Sequence, residues 1–373
     1  AFVVGGLCSC SGAQASVFGS SDKVLQTWAS AVNASGGING HPVKMITMDD
    51  GGNPATGLQD VKTLIGSDHV QAIADMSLAD AAWGGYAASQ GVPVLGGVSQ
   101  EPTFLTNPDF FAGGTQLLVS FIAMAQDVKA AGKKHYGLLY CAESPICAQL
   151  APIGKTSATL AGMTYVSGKI SSVSPSYAAP CLQLKGAGVD AVDVSENGPV
   201  VIRFIDACAQ QGYKPLGVYP GSELTSAALT DPNMAGSIGV SGGGNPYDSA
   251  SPGVARFRAA LNRYQPGYAS SAQFGFSSIL AWNAGELFAA AAKAGKLTPS
   301  ATPAQVKAGL YKLHNETLGG TAPPLNFTPG KPAFIPCWFS TTITNGKFAS
   351  LNGGKPSCLS AAQVKALTAG LKH

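Results

Sequence analysis

From Phe2 onward the chain alternates short apolar runs with stretches of helical periodicity, and this pattern constrains the fold more than any other feature. It is the signature of parallel strands crossed by helices, an α/β architecture. Phe2 to Gly6 reads as a buried strand. A helix follows, capped near Ser20, with Val24, Leu25, Trp28, Ala31 and Val32 on one face and Gly36-Gly37 at its end. Val43 to Met48 is the second strand. Asn53-Pro54 then supplies an N-cap and a proline at the first helical position, ahead of Leu58, Val61, Leu64 and Ile65. Val70 to Ala74 and Val92 to Leu95 are further strands, separated by a helix over about Ala79 to Ser89.

After Gly113-Gly114 the same grammar restarts, which predicts a second lobe. A helix from Leu117 to Ala131 leads into a strand from Tyr136 to Tyr140. Strands at Tyr165 to Val166, Ala191 to Val194, Gly217 to Tyr219 and Ile238 to Val240 alternate with helices near 148–161, 178–187, 199–211 and 224–229. Helices follow from Ala272 to Ala294 and from Pro303 to Leu313. The tail from Pro323 is strand-like, and a helix closes the chain over Ser360 to Leu371. At 373 residues there is length for two lobes, each with its own core.

Composition narrows the functional classes. No apolar run approaches the roughly 20 residues that a membrane span needs. Charged residues are 12% of the chain and the net charge is +3, too small and too dispersed for nucleic-acid recognition. The 8 cysteines show no zinc-ligand spacing, which favours disulfides and a location outside a reducing cytoplasm. Local spacing pairs Cys141 with Cys147, Cys181 with Cys208 and Cys337 with Cys358. Cys8 and Cys10 are left to each other by elimination, with free thiols as the alternative, because residues two apart in an extended strand lie near the upper limit of disulfide Cα spacing. The opening AFVVGG is too short for a signal sequence, so any export signal or lipid anchor is expected before Ala1.

Three features invite an enzymatic reading, and each has a plainer one. Asp49-Asp50 could be acid/base machinery, but adjacent strand residues point to opposite faces, and the pair is assigned to structure. Gly97-Val98-Ser99-Gln100-Glu101 nearly spells the nucleophile elbow, yet Glu101 stands where glycine is required and Pro102 follows. His41, His69, His135, His314 and His373 form no ligand set. No catalytic residue, metal or cofactor is expected.

Several strings are specific enough to carry a resemblance: VVGGLCSCSG, NASGGINGHPVKMITMDDGGNP, ADMSLADA, GVPVLGGVSQEPTFLT and AGVDAVDVSENGPVVIRFIDACAQQGYK. In these and in the order of its segments the chain resembles the type I periplasmic solute-binding proteins of ABC importers, in particular the branched-chain amino acid receptors. The resemblance implies two doubly wound parallel-sheet lobes joined by three hinge crossovers, with a ligand cleft between them. It places the crossovers near residues 115, 246 and 329. The N-terminal lobe would be residues 1–115 plus 247–329, and the C-terminal lobe 116–246 plus 330–373.

The same resemblance implies an extracytoplasmic, monomeric, non-enzymatic protein. It would capture a small polar ligand, an amino acid or small carboxylate, by hinge closure and deliver it to the permease subunits of an importer. Ligands of such sheets sit beyond the carboxyl ends of strands, at helix N-termini. Ser77, with the N–H groups near Ala79 and Asp80, is therefore expected to hold a carboxylate; a plain capping serine is the alternative. Val98, Ser99 and Gln100 match ligand-contacting positions, as do Phe18 and, nearby, Phe276, although core packing is the commoner fate of a phenylalanine. From the second lobe, Asn197 and Glu223 are candidates, with Glu223 the partner of a ligand ammonium group. Asn197 stands where the branched-chain receptors have tyrosine. That departure keeps aromatic acids and amides open as ligands, and a ligand-sensing receptor domain on the same fold is the alternative role.

Overall fold

In the computed structural model, which describes residues 1–12, 15–99, 101–143, 145–248 and 251–370, the chain divides into two compact units. Unit 1 comprises Ala1–Leu117, Gly242–Trp338 and Pro356–His373; unit 2 comprises Leu118–Ser241 and Phe339–Lys355.

Unit 1 is built on a parallel sheet of five strands: β1 (Phe2–Cys8), β2 (Val43–Asp49), β3 (Ala72–Met76), β4 (Val94–Gly96) and β5 (Phe110–Ala112), in the order β2-β1-β3-β4-β5. The order reverses direction at β1, so this is a doubly wound sheet whose strand ends form a switch point. β3 and β4 are buried along their whole length, as strands covered by helices on both faces must be. The helices Ser21–Ala34 and Phe276–Gly295 contribute Trp28 and Trp282, both fully buried, to one core. Phe2 meets Phe288 edge-on at 5.7 Å within it. Local chemistry fixes the helix starts. Asn53 accepts hydrogen bonds from Ala55 N–H and Thr56 N–H at 2.9 and 3.1 Å, with Pro54 at the first helical position, as the sequence predicts.

Unit 2 has its own sheet, from β6 (His135–Cys141), β7 (Thr164–Ile170), β8 (Ala191–Ser195), β9 (Leu216–Pro220), β10 (Ile238–Ser241), β11 (Cys337–Thr344) and β12 (Lys347–Ser350). The order is β12-β11-β10-β9-β8-β6-β7; β6 to β10 run parallel, and the hairpin β11–β12 closes one edge antiparallel.

Several sequence expectations shift: the helix expected near 224–229 is instead a pair of short 3-10 turns, Gly221–Glu223 and Ser226–Leu229. β3 begins two residues later than expected and runs through Asp75 and Met76, because its pairing with β1 continues to Cys8↔Met76. β5 was not expected at all: it is a three-residue strand, Phe-Phe-Ala, too short to show a period. The boundary between units also differs from expectation at the C-terminus. A short strand β13 (Ser357–Cys358) pairs with Cys337–Trp338, and the Cys337–Cys358 disulfide fastens it there. Residues 330–338 and the segment from Pro356 therefore belong to unit 1 rather than to the second lobe, which takes only Phe339–Lys355 of the tail.

All four expected disulfides are formed: Cys8–Cys10, Cys141–Cys147, Cys181–Cys208 and Cys337–Cys358. The spacing objection to Cys8–Cys10 does not apply, because β1 ends at Cys8 and the chain turns, bringing the two Cα atoms to 5.2 Å.

Candidate functional site

In unit 1 the carboxyl ends of β1, β2 and β3 carry a connected polar cluster. Asp50, only 2% exposed, stands at its centre. Its Oδ1 accepts from Ser9 Oγ and Gly52 N–H, both at 2.8 Å, and its Oδ2 accepts from Ser77 Oγ at 2.5 Å. Ser77 is fully buried; its hydroxyl also accepts from Ala79 N–H at 2.9 Å, and its own N–H donates to Asp75 Oδ1 at 2.8 Å. Leu78 N–H donates to Ser9 Oγ at 3.0 Å. Ser77 thus caps the turn into the helix Asp80–Ser89 while its proton goes to Asp50. Asp49 faces the other way, accepting from the N–H groups of Cys10, Ser11 and Gly51. Burial pushes its carboxyl up, but these bonds outweigh burial and hold it below the usual carboxylate range. The adjacent aspartates are structural acceptors.

Three further acids share these strand ends. Asp75 is fully buried within β3, with Oδ2 lacking a partner; burial, then the charge of Asp80, pushes its carboxyl well above the usual range. Asp80, also fully buried, accepts from Thr103 Oγ1 at 2.9 Å through Oδ1, while Oδ2 has no partner and burial lifts the group to about 6. Glu101 is pushed up to about 7 by burial and by Asp80. Ser99 is 2% exposed and its Oγ is unpartnered. Ala79 and Val98 are both 5% exposed. Gln100 lies outside the described residues. Phe18 and Phe276 are buried, at 9% and 1% exposure; Phe18 belongs to the unit 1 core and Phe276 packs edge-on to Tyr247 at 5.8 Å.

In unit 2 the corresponding strand ends hold another group of acids. Asn197 is exposed and caps the helix Gly198–Gln210, its Oδ1 accepting from Val200 N–H at 3.3 Å. Glu223 ends a short turn after β9; its Oε2 is buried without a partner, and burial, then Asp193 and Glu196, pushes its carboxyl well above the usual range. Asp193, fully buried in β8, is pushed up to about 8 by burial even though Ser195 Oγ donates to its Oδ2. Tyr136, at the amino end of β6, and Tyr219, near the carboxyl end of β9, have buried hydroxyls without partners. Cys141, Glu143 and Glu196 place ligand atoms within 4.8 Å of one another, but the Cys141 sulfur is committed to Cys147, so this is no metal site.

Sequence reasoning passed over Asp75, Asp80, Glu101, Asp193, Tyr136 and Tyr219. The signal was there for two of them: Asp75 in AIADM and Asp193 in AVDVS are lone acids inside apolar strands, where an unpaired charge is costly.

Doubly wound sheets gather their ligand-binding groups at the carboxyl ends of the strands, and the likeness of this chain to solved structures shows the type I periplasmic-binding fold. The chain belongs to the periplasmic binding protein family, whose model matches residues 2–347. No curated protein matches the sequence. Among solved structures, a branched-chain amino acid ABC transporter protein from Thermus thermophilus with bound valine is similar with a TM-score of 0.82, at 13% identity and covering 98% of both chains. A leucine-binding protein from Thermotoga maritima is similar with a TM-score of 0.73 at 14% identity, covering 94% of this chain and 97% of its own. A solute-binding protein of R. palustris in complex with benzoate has a TM-score of 0.71 at 16% identity, covering 97% and 98%. The family and the fold are those of substrate-binding proteins rather than enzymes, and the family implies an extracytoplasmic location. Among the described residues no helix is long and apolar enough to cross a membrane.

Proposed function

We propose that this chain is the extracytoplasmic solute-binding component of an ABC importer. It takes a small polar molecule against the strand ends of both units, closes by movement about the segments that join them, and presents the loaded form, as a monomer, to permease subunits. One observation carries this reading beyond family membership: both sheets end in buried polar atoms that the protein leaves without partners, Asp75 Oδ2, Asp80 Oδ2 and Ser99 Oγ in unit 1 and Asp193 Oδ1 and Glu223 Oε2 in unit 2. Buried polar atoms are almost always satisfied, and a group of exceptions at the ligand-binding end of such a sheet is what a site for a hydrogen-bonding solute leaves when described by its protein atoms alone.

A thermal-shift screen over amino acids, amides, amines, polyols and aromatic carboxylates tests the reading. Aromatic acids belong in it because the R. palustris relative carries benzoate. A ligand at one hundred times its Kd stabilises the folded state by about 2.7 kcal/mol. The expected result is a concentration-dependent rise in Tm for one chemical class. A flat response across all classes, with no small molecule released from the protein as isolated, contradicts solute binding.

A further inference from the structure

A strand at the edge of a sheet presents unpaired N–H and C=O groups, and proteins usually shorten, cover or charge such edges. The edge strand β7 of unit 2 pairs with β6 alone. It is 7 residues long, and six of the seven are exposed or half-buried. Thr164 N–H donates to Lys134 O at one end of the β6–β7 pairing, and Ile170 O accepts from Ala142 N–H at the other. Backbone groups alternate in direction along a strand, so Thr164, Val166, Gly168 and Ile170 face β6. The N–H and C=O groups of Tyr165, Ser167 and Lys169 point away from the sheet, with no partner among the described residues.

The surface around this edge is apolar and positive. Among the described residues the exposed large apolar side chains are Leu160, Val166, Val173 and Leu182. Val166 lies in β7 and Val173 just beyond it, while Leu160 and Leu182 belong to the helices Leu150–Ala161 and Ala178–Gly186. Those helices cover opposite faces of the sheet: a Cβ on Gly154 would meet Leu138 and Tyr165, and a Cβ on Gly137, the neighbour of Leu138 in β6, would meet Leu184. The other 7-residue edge, β2 in unit 1, has no exposed large apolar side chain. Across residues 144–189 there are three lysines, Lys155, Lys169 and Lys185, and no Asp or Glu. The flanking acids are engaged, Glu143 by Ser171 Oγ and Ser172 N–H, and Asp190 by the N–H groups of Lys134 and His135.

We infer that β7 is a docking edge for an extended segment of another polypeptide, one that carries acidic and apolar side chains and adds to the sheet as a further strand. Strand addition pairs the free backbone groups of Tyr165, Ser167 and Lys169. The segment's apolar side chains cover the exposed apolar surface beside the strand, and its acids offset the lysines. A second copy laid edge to edge would bring the lysines of one chain towards those of the other, and like charge opposes that arrangement. A lipid surface offers no alternating row of donors and acceptors for a strand edge.

Calorimetry on the full chain with a capped peptide of alternating valine and glutamate tests this. The peptide is expected to bind saturably, one per chain, and a twin with lysine in place of glutamate at least tenfold more weakly. N-methylation of alternate peptide amides, which prevents strand pairing, is expected to abolish binding. Ser167→Pro removes one outward N–H and leaves the pairing with β6 in place; it is expected to lower the affinity at least tenfold. Should that variant fail to fold, Lys169→Glu is expected to lower it at least threefold. No saturable binding at millimolar peptide, equal binding of the lysine twin, or binding indifferent to both substitutions overturns the inference. Two further outcomes also overturn it: a dimer in sedimentation that Ser167→Pro dissociates, which makes the occupant a second copy, and adsorption to vesicles of phosphatidylglycerol and phosphatidylcholine without peptide binding, which makes the surface a lipid contact.

Discussion

The Ser77 hydroxyl donates to Asp50 Oδ2 at 2.5 Å, joining the ends of β3 and β2 across 27 residues of sequence. Both side chains are buried, Ser77 completely and Asp50 to 2% exposure. This bond makes Ser77 part of the frame of the site, since its hydrogen is spent within the protein.

Ser77→Ala is therefore expected to act first on stability. It leaves one oxygen of a buried carboxylate short of a donor, a loss of about 1–3 kcal/mol. Urea unfolding followed by circular dichroism measures it. A variant as stable as the parent, with ligand affinity lost, would instead place the Ser77 hydroxyl on the ligand.

Stability should fall as pH rises through the neutral range. Glu101 is lifted from an ordinary 4.5 to about 7 and Asp193 from 3.8 to about 8, by burial in both cases. For a carboxyl raised in the folded state, the native form holds more protons than the unfolded one between the two pKa values, so its contribution is fully present below the unfolded value and is lost as pH climbs through the folded one. The window runs from about 4.5 to about 7 for Glu101 and from 3.8 to about 8 for Asp193. Glu101→Gln and Asp193→Asn are expected to flatten this slope, each by up to about 1 kcal/mol per pH unit within its window. Urea midpoints across the window measure the slope, and an unchanged slope in both variants counts against these assignments.

Cys181 and Cys208 are both fully buried and join the helices Ala178–Gly186 and Gly198–Gln210 across 27 residues. Closing a loop of that length contributes about 3 kcal/mol by the chain-entropy estimate. Replacing both by alanine should lower stability by about that amount. Non-reducing peptide mapping of the parent should recover four disulfide-linked peptide pairs or loops, as in the structure, and no free thiol; free Cys8 and Cys10 would contradict the first of them.

Gly198 opens the helix after β8 where a Cβ would stand 2.5 Å from the Glu223 carbonyl oxygen. Gly198→Ala must displace backbone there, at a cost of about 1–3 kcal/mol. Because the displaced turn carries Glu223, ligand affinity is expected to fall with it. Unchanged affinity in a destabilised variant would separate Glu223 from binding.

The elements legible in the sequence were those with strong local signals. Asn53-Pro54 announced a helix start, and Gly113-Gly114 marked the restart that became unit 2. Phe110–Ala112 was illegible because three apolar residues carry no period, and the end of β3 was misplaced because its last two residues are held by pairing with β1 rather than by local preference. The strand ends with Ser77, Ser99 and Glu223 were legible as places where polar side chains gather. The bonds those side chains make were not. That Ser77 gives its hydrogen to Asp50 depends on two strand ends meeting, and pattern reading along one segment does not reach such a contact.

The central claim is that one small solute is held by side chains from both units, and calorimetry on the strongest hit of the screen tests it most directly. Titrations are run with the parent chain, with Asp80→Asn in unit 1 and with Glu223→Ala in unit 2. The account predicts a single binding site per chain and at least a tenfold loss of affinity in each variant. Full affinity retained in either folded variant contradicts recognition by both units.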